Sequence, residues 1–122
     1  MPAVVLWTTM PDLRSAKRLA RGLVEKRLAA CVSMVPGAVS MYRWKKKTEI
    51  SREVLVMVKT TLAGSLAAQE HILERHPYEL PEMIVMKVAG GSKAYLSWVE
   101  KMVDLSGLEP LASSLRTRRS TN

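Results

Sequence analysis

Val54-Leu55-Val56-Met57-Val58 is the stretch of sequence that decides the fold. Five consecutive apolar residues, three of them β-branched, predict a β-strand whose side chains alternate between the two faces of a sheet. Val54, Val56 and Val58 would lie on one face, and Leu55 and Met57 on the other. Both faces of this strand are therefore apolar, and both need a cover.

The same stretch belongs to a long β-hairpin. A strand over about residues 49–60 returns alongside an extended segment over 29–44, which bends at Pro36-Gly37. The polar run Lys45-Lys46-Lys47 between them is typical of an exposed turn. Short apolar runs at 3–7 and 83–88 supply a first and a fourth strand.

Three helices are predicted between and after these strands. Asp12, Thr61 and Ser92 each precede apolar residues at helical spacing, and their side chains are typical N-caps. The second helix should end near His76, because Pro77 restricts the residue before it. In the first helix, the apolar stripe expected to be buried consists of Leu13, Ala16, Ala20, Leu23 and Val24.

The order strand, helix, strand, strand, helix, strand, helix predicts an α+β fold of the ferredoxin-like, split βαβ type. Its antiparallel sheet should carry the helices on one face, together with a long β-hairpin and an extra C-terminal helix. One domain is expected over residues 1–108, followed by a disordered basic tail over 109–122.

Helices on one face of such a sheet leave the second apolar face bare. In so short a chain, the expected cover is another copy of the protein. The alternative cover is a wider helical layer completed by the C-terminal segment.

The composition of the 122 residues excludes several classes of protein. Apolar residues make up 48%, too many for a wholly disordered chain, and no apolar run is long enough to span a membrane. The formal net charge of +8 raises the question of nucleic-acid binding, but residues 54–58 lack the aromatic side chains of an RNA-binding sheet. We therefore expect no nucleic-acid partner. One cysteine and no signal-peptide pattern predict a cytoplasmic location.

Few side chains suggest metal or acid–base chemistry. Cys31 lies in an apolar strand and is expected to be a structural thiol, while His71 and His76 can interact with carbonyl groups near a helix end. No nucleophile is paired with a base, so an enzyme is the least favoured class. Four carboxylates are expected on a solvated or salt-bridged surface: Glu49, Glu53, Glu79 and Glu82.

His76-Pro77-Tyr78-Glu79-Leu80-Pro81-Glu82 is the segment most typical of a binding site. Two prolines stiffen a loop that carries an imidazole, a phenol and two carboxylates. In an oligomer this loop could line a ligand cleft, or it could shape and close the subunit interface. The sequence leaves both interpretations open.

Several motifs together resemble the CutA family of divalent-cation tolerance proteins. They follow the family's order and spacing over about residues 3–103. The motifs are Leu28-Ala29-Ala30-Cys31-Val32 with Pro36-Gly37, Ser40-Met41-Tyr42-Arg43-Trp44, Lys59-Thr60-Thr61, the loop over 76–82, and Tyr95-Leu96-Ser97-Trp98. The resemblance implies a ferredoxin-like homotrimer with a PII-like architecture. It also implies a role in the tolerance or homeostasis of divalent metals such as copper, by binding or regulation and not by a known reaction.

The resemblance implies site residues as well. An inter-subunit cleft is expected to include Trp44, Lys59, Tyr78, Glu79 and Trp98. Of the copper ligands that the resemblance implies, only His76 is present. A site for copper or another divalent metal ion built from the residues at hand would use His76 with Glu82 or Cys31. The alternatives are a PII-like sensor of small molecules or anions, and a trimer that anchors another protein, both without a metal site.

Two departures from the family pattern concern the metal and the hairpin. In some bacterial members, copper binding is attributed to a cysteine of the first strand and two adjacent histidines before the Pro-Tyr pair. Thr8, Arg75 and His76 stand at those positions here. The family also usually has a glycine in the hairpin turn where this chain has Lys46, so the turn is expected to be altered or mobile.

Overall fold

The computed structural model describes residues 2–107 and confirms the predicted fold class. The predicted tail over 109–122, like the predicted domain end at residue 108, lies outside the described residues. Within 2–107, no helix is long and apolar enough to cross a membrane. The elements in chain order are β1 (Ala3–Met10), α1 (Leu13–Glu25), β2 (Cys31–Trp44), β3 (Lys47–Thr61), α2 (Leu62–Arg75), β4 (Ile84–Lys87) and α3 (Lys93–Met102).

The four strands form one antiparallel sheet in the order β2-β3-β1-β4, which is the ferredoxin-like arrangement. β3 lies at its centre, and Val54, Val56 and Val58 point toward α1 and α2 as fully buried core residues. Leu6 of β1 faces Val58 across the ladder and is also buried. The alternation of residues 54–58 thus produces the helix-covered face.

Capping side chains begin all three helices, as predicted. The Asp12 carboxylate accepts from the Ser15 N–H at 2.7 Å, and the Thr61 hydroxyl accepts from the Gly64 N–H at 3.0 Å. Ser92 caps α3 in the same way.

The predicted apolar stripe of α1 needs a correction. The buried residues are Ala16, Leu19, Ala20 and Leu23, whereas Leu13 and Val24 are 37% and 42% exposed. At 3.6 residues per turn, these two side chains lie at the flanks of the stripe and not at its centre.

The hairpin bends where the sequence predicts a bend. The pairing of β2 with β3 shifts register between Val35 and Ala38, and Gly37 adopts a positive φ of 85°. Such a bulge redirects the strand and its side chains. Beyond it, three apolar residues of the hairpin are between 63% and 68% exposed: Val39, Met41 and Ile50.

The second face of the sheet stays largely uncovered in the single chain. Trp7 pairs with Met57 on one side and Ile84 on the other, so these residues share that face. Ile84 and Met86 are 50% and 54% exposed. α3 covers only one end, where Val99 packs with Ala3 and Ala30.

Candidate functional site

An open cleft of about 1010 Å³ lies between the hairpin and the loop that joins α2 to β4. Trp44 lines it from the end of β2, and Tyr78, Glu79 and Glu82 line it from the loop. The structure therefore brings together four of the residues selected from the sequence. The cleft also includes polar residues that were not selected: Thr9, Ser40, Tyr42, Arg43, Ser51 and Glu53.

Glu53 is the buried acid of this cleft. Its side chain is only 8% exposed, so the prediction of a solvated or salt-bridged surface position is wrong for Glu53, although Glu49, Glu79 and Glu82 are exposed. Burial acts to raise the pKa of the Glu53 carboxyl, but hydrogen bonds from the hydroxyls of Ser40, Tyr78 and Thr9 outweigh it. The pKa falls below its usual value, and the carboxylate stays charged.

The register of the strands explains how Glu53 reaches this position. It faces Ala38 across the bulge, and its side chain shares a sheet face with Leu55 and Met57. A carboxylate that is buried beside Leu55 and Met57 needs hydrogen-bond donors to offset the loss of water. The position of Glu53 on the same strand face as Leu55 and Met57 was the sequence signal for its burial. To use that signal, one must know which neighbouring residues supply the hydroxyls.

Tyr78 joins the loop to the hairpin through its hydroxyl. Burial, followed by the hydrogen bond to Glu53 and the charge of that carboxylate, raises the pKa of the Tyr78 phenol well above its usual range. The phenol thus remains a hydrogen-bond donor at neutral pH. On the opposite wall, the Tyr42 and Ser51 hydroxyls are hydrogen-bonded at 2.8 Å.

His76 holds the start of the loop and uses both ring nitrogens to do so. Its Nδ1 accepts from the Tyr78 backbone N–H at 3.2 Å, which leaves the proton on Nε2 for donation to the Thr9 carbonyl at 2.7 Å. The ring also packs against the Tyr78 ring, with centroids 4.8 Å apart. The carbonyl group that His76 contacts belongs to β1 and not to the end of α2, so the contact differs from the helix-end interaction expected from the sequence.

Lys59 and Cys31 lie together in another part of the sheet. They face each other across β2 and β3, and the Lys59 ammonium lies 3.0 Å from the Ser33 hydroxyl and 3.7 Å from the Cys31 sulfur. Lys59 pairs with Val5 of β1. Val5 lies four residues along the strand from Thr9 of the cleft, so Lys59 is about 13 Å from the position of Thr9. Within one chain, neither residue lines the cleft.

Trp98 also lies apart from the cleft lining. It projects from α3, is 40% exposed, and packs against Tyr95 with ring centroids 5.6 Å apart. The structure of one chain therefore separates Trp98 and Lys59 from Trp44, Tyr78 and Glu79.

The candidate metal ligands do not fit a copper site as one chain places them. Both nitrogens of His76 are already hydrogen-bonded, and Cys31 lies beside an ammonium group. Thr8 is fully buried, opposite Val56 on the face that the helices cover. In the part of the chain that the structure describes, no group of three or more His, Cys, Asp or Glu residues could hold a metal ion.

Comparison with known proteins gives a consistent set of similarities. A family model described as CutA1 divalent ion tolerance protein matches residues 4–102. The divalent-cation tolerance protein CutA of Pectobacterium atrosepticum is 44% identical over 97 residues, which cover 80% of this chain and 88% of that protein. The crystal structure of CutA from Xylella fastidiosa matches with a TM-score of 0.83 and 41% identity, covering 85% of this chain and all of that one.

A plant relative is longer than the shared domain. The chloroplastic protein CutA of Arabidopsis thaliana is 37% identical over 100 residues, which cover 82% of this chain. The chain spans only 55% of that relative's length.

Proposed function

Because the chain belongs to the CutA1 divalent ion tolerance protein family, we propose that it contributes to divalent-cation tolerance by binding or regulation rather than by catalysis. The match of the family model over residues 4–102, from β1 to the end of α3, carries this proposal.

Growth under copper stress tests this function. A bacterial strain that lacks its own relative and is sensitive to copper should regain tolerance when it produces this chain. Unchanged sensitivity, with the protein folded and present at normal levels, would remove the proposed role. A variant that keeps the fold but loses the two exposed carboxylates of the cleft, Glu79→Gln with Glu82→Gln, then shows whether the cleft is involved.

We further propose that the working form is a homotrimer whose subunits cover one another's second sheet face. Val35, Ile84 and Met86 are each at least 50% exposed on that face, and burial of such apolar surface drives association at roughly 25 cal/mol per Å². Three copies related by a threefold axis would form a closed ring, in which a neighbour covers the second sheet face of every copy. The expected inter-subunit cleft includes Trp44, Lys59, Tyr78, Glu79 and Trp98.

The mass of the particle in solution tests the trimer. Light scattering after size exclusion should give about three times the mass of the 13.6 kDa chain across a wide dilution range. A monomer at all concentrations would refute the trimer without bearing on the family assignment.

Direct metal binding is the second candidate, because the exposed carboxylates of Glu79 and Glu82 line the same cleft. Its proposed ligands are His76 with Glu82, which lines the cleft, or with Cys31, which would have to come from another subunit because it lies outside the cleft of its own chain. Binding through His76 would require one ring nitrogen to exchange its present partner for the metal. Calorimetry with copper and with zinc should show weaker binding in His76→Ala, Glu82→Gln or Cys31→Ser for each true ligand. Unchanged binding removes that residue from the site.

A cytoplasmic location remains a prediction, since the Arabidopsis thaliana relative carries "chloroplastic" in its name. Fractionation of the native cells tests it.

A further inference from the structure

We propose that the cleft binds a small organic cation of the alkylammonium class between its aromatic walls and its carboxylates. This ligand class differs from the divalent metals of the proposed function and does not depend on them. The argument rests on the charge of the cleft, on its aromatic lining and on the lack of a metal-coordinating cluster.

The charge of the cleft is opposite in sign to that of the protein. The chain carries a formal net charge of +8, yet the lining contains three carboxylates and one guanidinium: Glu53, Glu79, Glu82 and Arg43. Clefts lined by one sign of charge concentrate ligands of the opposite sign. Since hydrogen bonds from three hydroxyls hold Glu53 in its charged form, the negative charge at the base of the cleft is permanent at neutral pH.

The walls of the cleft are aromatic. Tyr42, Trp44 and Tyr78 all line it, and the faces of such rings attract cations that lose their hydration shell readily. The chain itself provides an ammonium of this kind: Nζ of Lys45 lies 6.0 Å from the centroid of the Trp44 ring. Trp44 therefore already accepts an alkylammonium group from its own chain.

A divalent metal fits this lining less well than an organic cation. Metals such as Mg²⁺ and Ca²⁺ need several oxygen ligands at about 2.0–2.6 Å, all converging on one point. The residues within 2–107 offer no such cluster, and the Glu53 oxygens already accept three hydrogen bonds. The cleft has negative charge and aromatic faces, but its oxygen atoms do not converge on one point. This lining favours an organic cation that is held by charge and by contact with the rings.

Choline and its neutral isostere 3,3-dimethyl-1-butanol are the probes that isolate the charge. Calorimetry on the full chain at low salt should detect binding of choline and none of the alcohol, and choline affinity should fall as sodium chloride is added. Equal binding of the two probes, or no choline binding at all, would overturn the proposal.

Matched variants locate the site. Trp44→Leu should weaken choline binding about tenfold, and Glu79→Gln a few-fold. The controls Glu25→Gln and Leu66→Ala should leave it unchanged, because both residues are exposed on helices and neither lines the cleft. Lys45→Asn should tighten binding, since it removes the ammonium that competes for the Trp44 ring and keeps a residue suited to the positive φ of 51°. Thermal melting of each variant confirms that it is folded. Weakening by the two controls as large as that by Trp44→Leu would place the ligand elsewhere.

Two further arms separate the sources of the cation. A short blocked peptide with one lysine should bind more weakly than choline if the ligand is a free small molecule; tighter binding of the peptide would assign the cleft to a protein partner instead. Magnesium chloride at the same ionic strength should not displace choline more than sodium chloride does. Specific displacement by magnesium would show a metal site and refute the assignment.

Discussion

At the scale of single residues, Glu53 and Tyr78 join the two sides of the cleft. The carboxylate comes from β3 and the phenol from the loop after α2, and their hydrogen bond links segments 25 positions apart in the chain. Because one partner is charged and both are shielded from water, this bond should contribute more than an exposed one.

Replacing Tyr78 with Phe removes that bond and keeps the ring. The free energy of unfolding should fall by about 1.5–3 kcal/mol, since a buried carboxylate loses a donor. The Tyr42→Phe control removes an exposed hydroxyl, which binds Ser51, and should cost about 0.5 kcal/mol.

The lowered pKa of Glu53 also makes stability depend on pH. The charged carboxylate stabilises the fold above the glutamate pKa of the unfolded chain, near 4.5, and this contribution is lost as pH falls below that value. Urea unfolding at pH 7 and at pH 3.5 measures both effects; equal losses in the two variants would contradict the assignment.

His71 makes the fold sensitive to mild acid. The ring is 5% exposed and packs against the backbone of Gly22, and its Nε2 has no hydrogen-bond partner among residues 2–107. Burial, with smaller effects from Arg75 and Lys26, lowers the pKa of His71 from 6.5 to about 4. Between pH 6.5 and about 4, the unfolded chain binds a proton at His71 that the folded chain does not. The contribution of His71 to the free energy of unfolding is therefore fully present above pH 6.5 and declines as pH falls toward 4.

The decline should amount to about 3 kcal/mol per chain, from the size of the pKa difference. The variant His71→Leu should flatten the stability profile between pH 6.5 and 5, a range that lies above the ordinary glutamate pKa of 4.5. Urea unfolding at several pH values and one fixed protein concentration tests this. A variant profile as steep as that of the wild type would assign the acid sensitivity to another group.

At the scale of the elements, local chemistry predicts most of the fold. Asp12, Thr61 and Ser92 begin helices because their side chains satisfy free N–H groups, and that effect needs only a few neighbouring residues. The burial of Glu53 and the separation of Lys59 from Trp44 depend on strand register and on the bulge after Val35, which pair residues distant in sequence. For that reason Trp44 and three loop residues of the cleft were selected from the sequence, whereas the buried acid between hairpin and loop was not.

The hairpin turn carries backbone strain that a glycine would relieve. Lys45 and Lys46 have positive φ angles of 51° and 69°, a conformation that suits Asn and Gly in two-residue turns. Lys46→Gly should therefore slow amide exchange at Trp44 and Lys47, which pair next to the turn, by about fivefold. Lys47→Gly, a change within β3 itself, should speed it. Hydrogen exchange followed by NMR compares the two variants, and faster exchange in Lys46→Gly would show that the lysine stabilises the turn.

At the scale of the whole molecule, the apolar residues 54–58 of β3 contribute to two surfaces. Its valines fill the core under the helices, and Leu55 and Met57 belong to the face that α3 covers only at one end. A chain of this size with an apolar sheet face left open is expected to gain much of its stability from association.

That expectation can be tested with one charge on the open face. Met86 is 54% exposed and faces Val5 across the ladder, so Met86→Glu would bury an unpaired carboxylate if another subunit covers this face. The variant should shift toward monomer in light scattering, and its melting temperature should drop and become strongly concentration-dependent. Leu66→Glu is the control, because Leu66 is 45% exposed on α2, away from that face. The control should keep the wild-type mass and nearly the wild-type melting temperature. If Met86→Glu behaves like the control, the sheet face is solvated in the working protein and the subunits associate through another surface.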